Sequence, residues 1–109
     1  MTIEDNLEIH YRDINPGANC VELKVDEEFF SYTKAIKSAL RQNPQWVLLS
    51  EARSTEVKYL LECFSTGLHG LTTLHTDDTR KIPDRIQNMM QDSYAASRME
   101  NDIYSFCNV

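Results

Sequence analysis

The sequence predicts an α/β fold with a mostly parallel sheet and flanking helices. Two observations lead to this prediction. Short apolar runs that suit strands alternate with segments whose apolar residues recur at the spacing of a helix. One of these runs, Trp46-Val47-Leu48-Leu49, is apolar throughout, which is typical of a strand buried on both faces of a parallel sheet. The 109 residues are enough for a single domain with its own apolar core.

The N-terminal part of the chain predicts strands. A first strand is expected around Ile3. Residues 20–25 alternate apolar and polar side chains, as a half-exposed strand does. The turn sequence Asn15-Pro16-Gly17 comes just before them. We therefore expect a β-hairpin near the N-terminus that joins Leu7–Tyr11 to residues 20–25.

Three amphipathic helices are expected from Phe29 onward. The first ends at Asn43-Pro44 and the second at Thr66-Gly67. The third is capped by Asp77 or Asp78, and Pro83 lies in its first turn or bends it. The apolar residues that mark these helices are Phe29, Tyr32, Ile36 and Leu40 in the first, Val57, Leu60, Leu61 and Phe64 in the second, and Ile82, Ile86, Met89 and Met90 in the third.

Further strands are expected between and after these helices. Trp46–Leu49 follows the first helix, and Leu71-Thr72-Thr73-Leu74 follows the second. The apolar stretch at 103–109 predicts a last strand. Helices between successive strands suit the crossovers that parallel strands need.

Charge and cysteine content exclude several classes of protein. The formal net charge of −6 argues against nucleic acid as a direct partner, since nucleic-acid binding normally requires a basic surface. The cysteines Cys20, Cys63 and Cys107 are odd in number and far apart, which suits neither a disulfide framework nor a zinc site and favours a reducing cytoplasm. No apolar run approaches the roughly 20 residues needed to span a bilayer, so no transmembrane segment is expected.

The glycines exclude a phosphate-binding loop of the P-loop type. That loop needs two glycines five residues apart, followed by Lys and then Ser or Thr. Gly17, Gly67 and Gly70 do not have this spacing. The chain therefore carries no P-loop.

Polar residues follow three of the predicted strands. Glu4 and Asp5 follow the first, Glu51 and Arg53 follow Trp46–Leu49, and His75 follows the strand at 71–74. Because the carboxyl ends of parallel strands meet at one edge of the sheet, these side chains are expected to converge there. Carboxylates with an imidazole suit the activation of a water molecule and the stabilisation of charge on a transferred group.

Three sequence motifs in this chain resemble those of the traffic ATPases of type II and type IV secretion. The run from Leu40 to Arg53, LRQNPQWVLLSEAR, resembles their Walker B region, which is close to LR-x-x-P-D-x-I-L-x-G-E-x-R. Thr2-Ile3-Glu4-Asp5 resembles their Asp box. Thr66-Gly67 followed by Thr73-Leu74-His75-Thr76 resembles their His box. The order is that of the family, and the resemblance covers nearly the whole chain.

The resemblance implies a fold, an assembly and a cellular place. Members of the family are hexameric RecA-like motors that couple ATP hydrolysis to secretion, conjugation or pilus assembly. Residues 1–109 are then expected to be one fragment of a RecA-like P-loop NTPase core, truncated at both ends, without Walker A and the N-terminal domain. The resemblance implies ATP and Mg²⁺ as cofactors, a homo-oligomer, partners in the inner-membrane secretion apparatus and a cytoplasmic position at the membrane. The length of the helix after Glu51 leans toward the conjugation and tight-adherence branch, and the fragment alone is expected to be inactive.

The resemblance also implies roles for individual residues. Glu51 corresponds to the Walker B glutamate, near Mg²⁺ through water and near the attacking water. Glu4 corresponds to the Asp-box carboxylate that positions or deprotonates this water, and which of the two is the general base stays open. Arg53 is expected to pair with a neighbouring carboxylate, and His75 to face the γ-phosphate. Lesser candidates are Arg80 and Arg85 for phosphate or subunit contact, and Asp5 for Mg²⁺.

Two departures from the family pattern leave alternatives. Ser50 stands where the family usually has glycine, and its Cβ restricts how closely the backbone approaches a nucleotide. The first His-box histidine of many relatives aligns with Leu68, so we assign His69 no catalytic role.

One alternative is a non-catalytic paralogue that acts as an oligomerisation or interaction module. A weaker alternative is a metal-dependent hydrolase that uses Glu4, Asp5, His75, Asp77 and Asp78.

Overall fold

The strands form one sheet in which every pair of neighbours runs parallel. The computed structural model describes residues 1–26, 28–54, 56–90 and 96–108, without the side chains of 96, 97 and 99. The strands lie in the order β2-β1-β3-β4. The prediction of an α/β fold with a mostly parallel sheet is confirmed. The strands are β1 at Thr2–Glu4, β2 at Glu22–Lys24, β3 at Trp46–Leu49 and β4 at His69–Thr72.

Helices connect the strands and follow the last one. The first predicted helix is present as α2, but it begins at Tyr32, so Phe29 lies before it and is 72% exposed. Ser31 caps this helix by accepting a hydrogen bond from the Lys34 N–H at 3.3 Å. Asp78 caps a 3₁₀ turn at Thr79–Lys81 by accepting from the Arg80 N–H at 2.8 Å. Pro83 lies in the first turn of the following helix, as predicted. The helices are α1 at Tyr11–Ile14, α2 at Tyr32–Gln42, α3 at Glu56–Ser65, α4 at Ile82–Met90 and α5 at Ala96–Phe106.

The predicted β-hairpin near the N-terminus is wrong. The expected second strand at 20–25 is present as β2, but it pairs parallel with β1, with Thr2 opposite Glu22 and Glu4 opposite Lys24. The segment expected as its antiparallel partner leads instead into the short helix α1. Alternating side chains mark a half-exposed strand but do not specify its partner. The connection between β1 and β2 is long enough for a crossover, so the strand returns parallel.

The predicted last strand at 103–109 is also wrong. The structure has α5 at Ala96–Phe106, and Val109 lies outside the described residues. Ile103 is 3% exposed, and the Cys107 N–H donates to the Ile103 carbonyl at 3.0 Å. Ile103 and Cys107 both pack in the cluster that α4 forms with α3. Residues four apart share one face of a helix, so the apolar stretch is one helical face and not a strand.

Two apolar clusters hold the fold together, and α3 contributes to both. The first lies between the sheet and α2, and its α3 members include Leu60. The second lies between α3, α4 and α5, and its α3 members include Leu61. Each fully buried aliphatic side chain contributes about 1.5–3 kcal/mol relative to exposure. No helix in the described ranges is long and apolar enough to cross a membrane. The buried residues include Ile3, Ile36, Val47 and Leu49 in the first cluster and Val57, Ile86, Met90 and Ile103 in the second.

Candidate functional site

Four of the predicted site residues meet at the carboxyl edge of the sheet. Arg53 is at the centre, because its Nη1 lies 3.0 Å from Asp5 Oδ2 and its Nε donates to Glu51 Oε2 at 2.7 Å. His75 Nε2 lies 3.4 Å from the other oxygen of Glu51. A continuous chain of contacts thus runs from Asp5 through Arg53 and Glu51 to His75. We call these four residues the edge cluster.

The register of the strands places the edge cluster. Ile3 of β1 lies opposite Leu49 of β3, so the residues that follow each strand emerge side by side. The segment after β4 is fastened to the segment after β3 by two further hydrogen bonds. The Ala52 N–H donates to the Thr73 carbonyl at 2.8 Å, and the Thr73 hydroxyl donates to the Ser50 carbonyl at 2.7 Å. These contacts carry the chain to His75 beside Glu51.

Exposure differs strongly within the edge cluster. The side chain of Glu51 is 21% exposed and that of His75 is 86% exposed. Within the edge cluster, Glu51 is therefore the more buried side chain, and His75 is exposed and accessible to a ligand. Arg53 and Asp5 are 53% and 38% exposed, so their ion pair adds little stability and serves mainly to orient the two groups.

Hydrogen bonds and charges within the edge cluster shift two pKa values. The hydrogen bond to Glu51 raises the pKa of Arg53, and the charges of Asp5 and Glu51 raise it further. For Asp5, burial raises the pKa, whereas a hydrogen bond to Tyr32 and the charge of Arg53 lower it, and the pKa lies below its ordinary value. Arg53 therefore stays cationic and Asp5 anionic through the physiological range.

Glu4 lies outside the edge cluster. Its side chain is buried, with the residue 1% exposed, and Oε1 accepts hydrogen bonds from the backbone N–H groups of Glu8 and Ile9, both at 3.0 Å. Glu4 is the last residue of β1, whereas Asp5 lies in the bend that follows, where its carboxylate contacts Arg53. Glu4 thus fastens the loop after β1. The acidic residue of this pair that contacts Arg53 is Asp5.

Glu56 is a part of the site that sequence reasoning missed. It is 5% exposed, and its Oε1 accepts from the backbone N–H of Arg53 at 2.7 Å and of Ser54 at 2.8 Å. It thereby fixes the backbone that carries Arg53. The signal in the sequence is an acidic residue in the first turn of a helix, where it satisfies free N–H groups.

The other predicted residues lie in separate contacts. Arg80 forms an ion pair with Asp78 at 2.7 Å, and Lys81 forms one with Asp77 at 2.8 Å. Hydrogen bonds from these cations lower the pKa values of both aspartates. Arg85 is exposed on α4. The five residues of the metal-dependent alternative are therefore divided among separate contacts, and within the described ranges no three His, Cys, Asp or Glu side chains lie close enough to hold a metal ion.

Comparisons with known proteins identify relatives along almost the whole chain. A model of the family described as Type II/IV secretion system protein matches residues 1–104. An uncharacterized protein of Bacillus anthracis is 31% identical over 116 residues, which cover 97% of this chain and 24% of that protein. The type IV pilus retractation ATPase PilT of Pseudomonas aeruginosa is 30% identical over 89 residues, which cover 79% of this chain and 25% of that protein.

Solved structures agree with the fold. The ATPase DotB of Yersinia pseudotuberculosis superposes with a TM-score of 0.80 at 22% identity, over 96% of this chain and 27% of that one. The ATPase DotB of Legionella pneumophila superposes with a TM-score of 0.72, also at 22% identity, over 96% of this chain and 29% of that one. The fold of this chain is therefore that of part of these ATPases. The chain spans about a quarter of the length of the relatives named here.

Proposed function

Because the chain belongs to the type II/IV secretion system protein family, as its motifs predicted, we propose that it carries the Walker B side of an ATP-hydrolysing site. The observation that carries this proposal is the edge cluster, in which one arginine holds two carboxylates beside an exposed histidine. Relatives named as ATPases support it.

We assign Glu51 the central role in this site. Arg53 takes one carboxylate oxygen and His75 lies at the other, so the carboxylate is held in one orientation. A carboxylate fixed in this way can orient and deprotonate a water molecule for attack on phosphorus. Glu4 is the weaker candidate for the base, because it is buried at 1% exposure and lies outside the edge cluster, whereas the Glu51 side chain is 21% exposed. His75, exposed beside Glu51, is placed to face the γ-phosphate.

The residues of the edge cluster fit Mg²⁺ bound together with a nucleotide. Mg²⁺ keeps several waters and takes one or two carboxylates plus substrate phosphates, so it does not need a cage of protein ligands. Glu51 would hold it through water, with Asp5 as the weaker second candidate. Magnesium bound there would neutralise charge on the phosphate oxygens.

The same proposal covers the assembly and its place. We propose that the parent protein is a hexameric ATPase at the cytoplasmic face of the inner membrane, where it drives secretion, conjugation or pilus assembly with components of the secretion apparatus. Residues 1–109 form its Asp-box, Walker B and His-box portion. The backbone donors that cradle phosphates belong to a P-loop, and this sequence has none, so we propose that the chain alone hydrolyses ATP at no measurable rate.

A second candidate is a non-catalytic interaction module. The observation that favours it is the apolar surface along β4, where Leu71 is 64% exposed and the neighbouring Trp46 is 53% exposed. Exposed apolar side chains on an edge strand suit contact with another protein surface. In this case the edge cluster would be a structural remnant.

A chimaera separates the two candidates. The segment of the Pseudomonas aeruginosa ATPase that matches this chain is replaced by the corresponding residues of this chain, so that the relative supplies the rest of the protein. We expect the chimaera to hydrolyse ATP, and Glu51→Gln to lower the rate by at least about 100-fold, which is the usual contribution of general base catalysis. The matched control is Glu28→Gln, at an exposed position outside the edge cluster. A chimaera that assembles and binds ATP but hydrolyses it no faster than its Glu51→Gln variant would support the interaction module.

A further inference from the structure

A single buried hydroxyl touches the ends of two neighbouring strands. Tyr32, the first residue of α2, is 5% exposed. Its phenol oxygen accepts a hydrogen bond from the Asp5 backbone N–H at 3.1 Å and lies 3.0 Å from Ser50 Oγ. Asp5 follows β1 and Ser50 follows β3, so the two contacts bridge the strand ends just below the edge cluster.

We call the contacts of Tyr32 with Asp5 and Ser50 the junction. The donors and acceptors of its hydrogen bonds are complementary. A phenol has one proton and accepts through its oxygen lone pairs, and a serine hydroxyl has the same capacity. The Asp5 N–H donates to the phenol oxygen, and a hydrogen bond in which either hydroxyl can be the donor joins Tyr32 to Ser50. Burial raises the pKa of Tyr32, the hydrogen bond to Ser50 lowers it, and the charge of Asp5 raises it, with a net rise. The phenol therefore keeps its proton at physiological pH.

The junction lies where the backbone pairing of β1 and β3 reaches its end. The paired residues are Thr2 with Leu48 and Ile3 with Leu49, and the Ser50 N–H donates to the Ile3 carbonyl at 3.0 Å. The next residue of β1 is Glu4, and the N–H of Asp5, which follows it, donates to the Tyr32 phenol oxygen. The Tyr32 side chain thus links the two strands just beyond their last backbone hydrogen bond. The ion pair between Arg53 and Asp5 is the next contact between them.

We propose that Tyr32 is a positioning residue that fastens the ends of β1 and β3 to each other, with Ser50 as its hydroxyl partner, and so aligns Asp5 with Arg53. The consequence for ATP hydrolysis rests on the proposed function, whereas the fastening itself does not. Serine at position 50, where the family resemblance leads one to expect glycine, is in this chain the second half of the junction.

Native-state hydrogen exchange of the 109-residue chain tests the fastening. The readout is the exchange rate of the Asp5 amide relative to the Leu48 amide, which is bonded to the Met1 carbonyl at 2.9 Å in the ladder between β1 and β3. In Tyr32→Phe we expect this ratio to rise about tenfold, which is what the loss of one hydrogen bond of ordinary strength allows. The control is Tyr59→Phe on α3, whose ring lies against the Lys37 ammonium, and there the ratio stays unchanged.

Two outcomes of this exchange experiment overturn the proposal. One is an unchanged Asp5 amide in Tyr32→Phe. The other is equal acceleration of the Asp5 and Leu48 amides, since this reports a general loss of stability.

A double-variant cycle tests Ser50 as the partner. If Tyr32 and Ser50 act through one junction, Ser50→Gly raises the same exchange ratio, and adding it to Tyr32→Phe raises the ratio no further. Fully additive effects would contradict the shared junction. These measurements need no nucleotide, so an inactive chimaera would leave their result standing, and an unchanged Asp5 amide would leave the ATPase proposal standing. In an active chimaera, Tyr32→Phe is expected to lower kcat with little change in KM.

Discussion

The guanidinium of Arg53 meets the carboxylate of Asp5 at 3.0 Å across the gap between the ends of β1 and β3. The same guanidinium donates to Glu51 at 2.7 Å. Arginine can serve both carboxylates because its donors point in fixed and different directions. The position of Glu51, after β3, is therefore tied to that of Asp5, after β1.

Arg53→Lys is expected to separate these two contacts. An ammonium is a single compact group, so it pairs with one carboxylate and releases the other. The free energy of unfolding of the chain should change little, because both ion pairs are partly exposed. ATP hydrolysis by the chimaera should fall by about tenfold or more, because Glu51 loses its orientation. Urea unfolding and steady-state ATPase assays check the two effects, and full activity in a stable Arg53→Lys variant would show that the orientation of Glu51 does not depend on Arg53.

Asp5→Asn is expected to change how stability depends on acid. The pKa of Asp5 in the folded chain lies below its ordinary value of 3.8, although burial raises it, because the Tyr32 hydrogen bond and the Arg53 charge lower it more. A lowered folded pKa means that the ionised carboxylate stabilises the fold above the unfolded pKa, and that this contribution is lost as the pH falls through the folded pKa. The stability difference between the parent chain and Asp5→Asn should thus be constant at neutral pH and shrink below about pH 4.

Chemical denaturation between pH 2.5 and 7 measures this difference, and the Arg53→Gln background is its control. Removing the cation leaves the hydrogen bonds from Tyr32 and from the Asn6 N–H as favourable contacts of the carboxylate, so the acid dependence should become weaker but not vanish. A difference between the parent chain and Asp5→Asn that grows as the pH falls would have the wrong sign for a lowered pKa.

The sequence predicted the bounds of the interior strand β3 more accurately than those of the edge strand β4. Trp46–Leu49 has the predicted bounds, but it is not buried on both faces as predicted, because Val47 and Leu49 are buried whereas Trp46 is 53% exposed. The expected strand at 71–74 is present two residues earlier, at His69–Thr72. The hairpin prediction was wrong because the alternation of apolar and polar residues along a strand does not determine whether its neighbour runs parallel or antiparallel. In the structure β2 pairs parallel with β1.

The candidate site shows the same limit. The motif resemblance pointed to Glu4, and the structure places Asp5 with Arg53 instead. A strand of three residues is too short for alternation to reveal which of two neighbouring carboxylates faces the cluster. Glu56 and Tyr32 were missed for a different reason. The contacts of Tyr32 join positions that are far apart in the sequence, and those of Glu56 reach back to backbone N–H groups, and residue spacing does not report such contacts.

Glu56→Ala is expected to destabilise the fold by about 2 kcal/mol, because two backbone N–H groups lose a charged acceptor. Glu56→Gln keeps an acceptor oxygen and should recover part of this loss. The control is Glu62→Ala on the same helix, which removes a half-buried carboxylate outside this loop. Urea unfolding of the three variants makes the comparison, and equal losses in Glu56→Ala and Glu62→Ala would contradict a specific role of Glu56.

The three cysteines are expected to react with iodoacetamide in a fixed order. Burial raises the pKa of Cys63 to about 11, so its thiol is protonated at pH 8. Cys63 is also 0% exposed, so the reagent does not reach its sulfur in the folded chain. Burial also raises the pKa of Cys107, but this residue is only partly buried at the end of α5. Cys20 is 6% exposed. Peptide mapping of the folded chain should therefore find the first label on Cys107, and labels on Cys20 and Cys63 should appear at the rate of unfolding. The two apolar clusters require α3 to be packed in the fold. Labelling of Cys63 as fast as Cys107 without denaturant would contradict this packing.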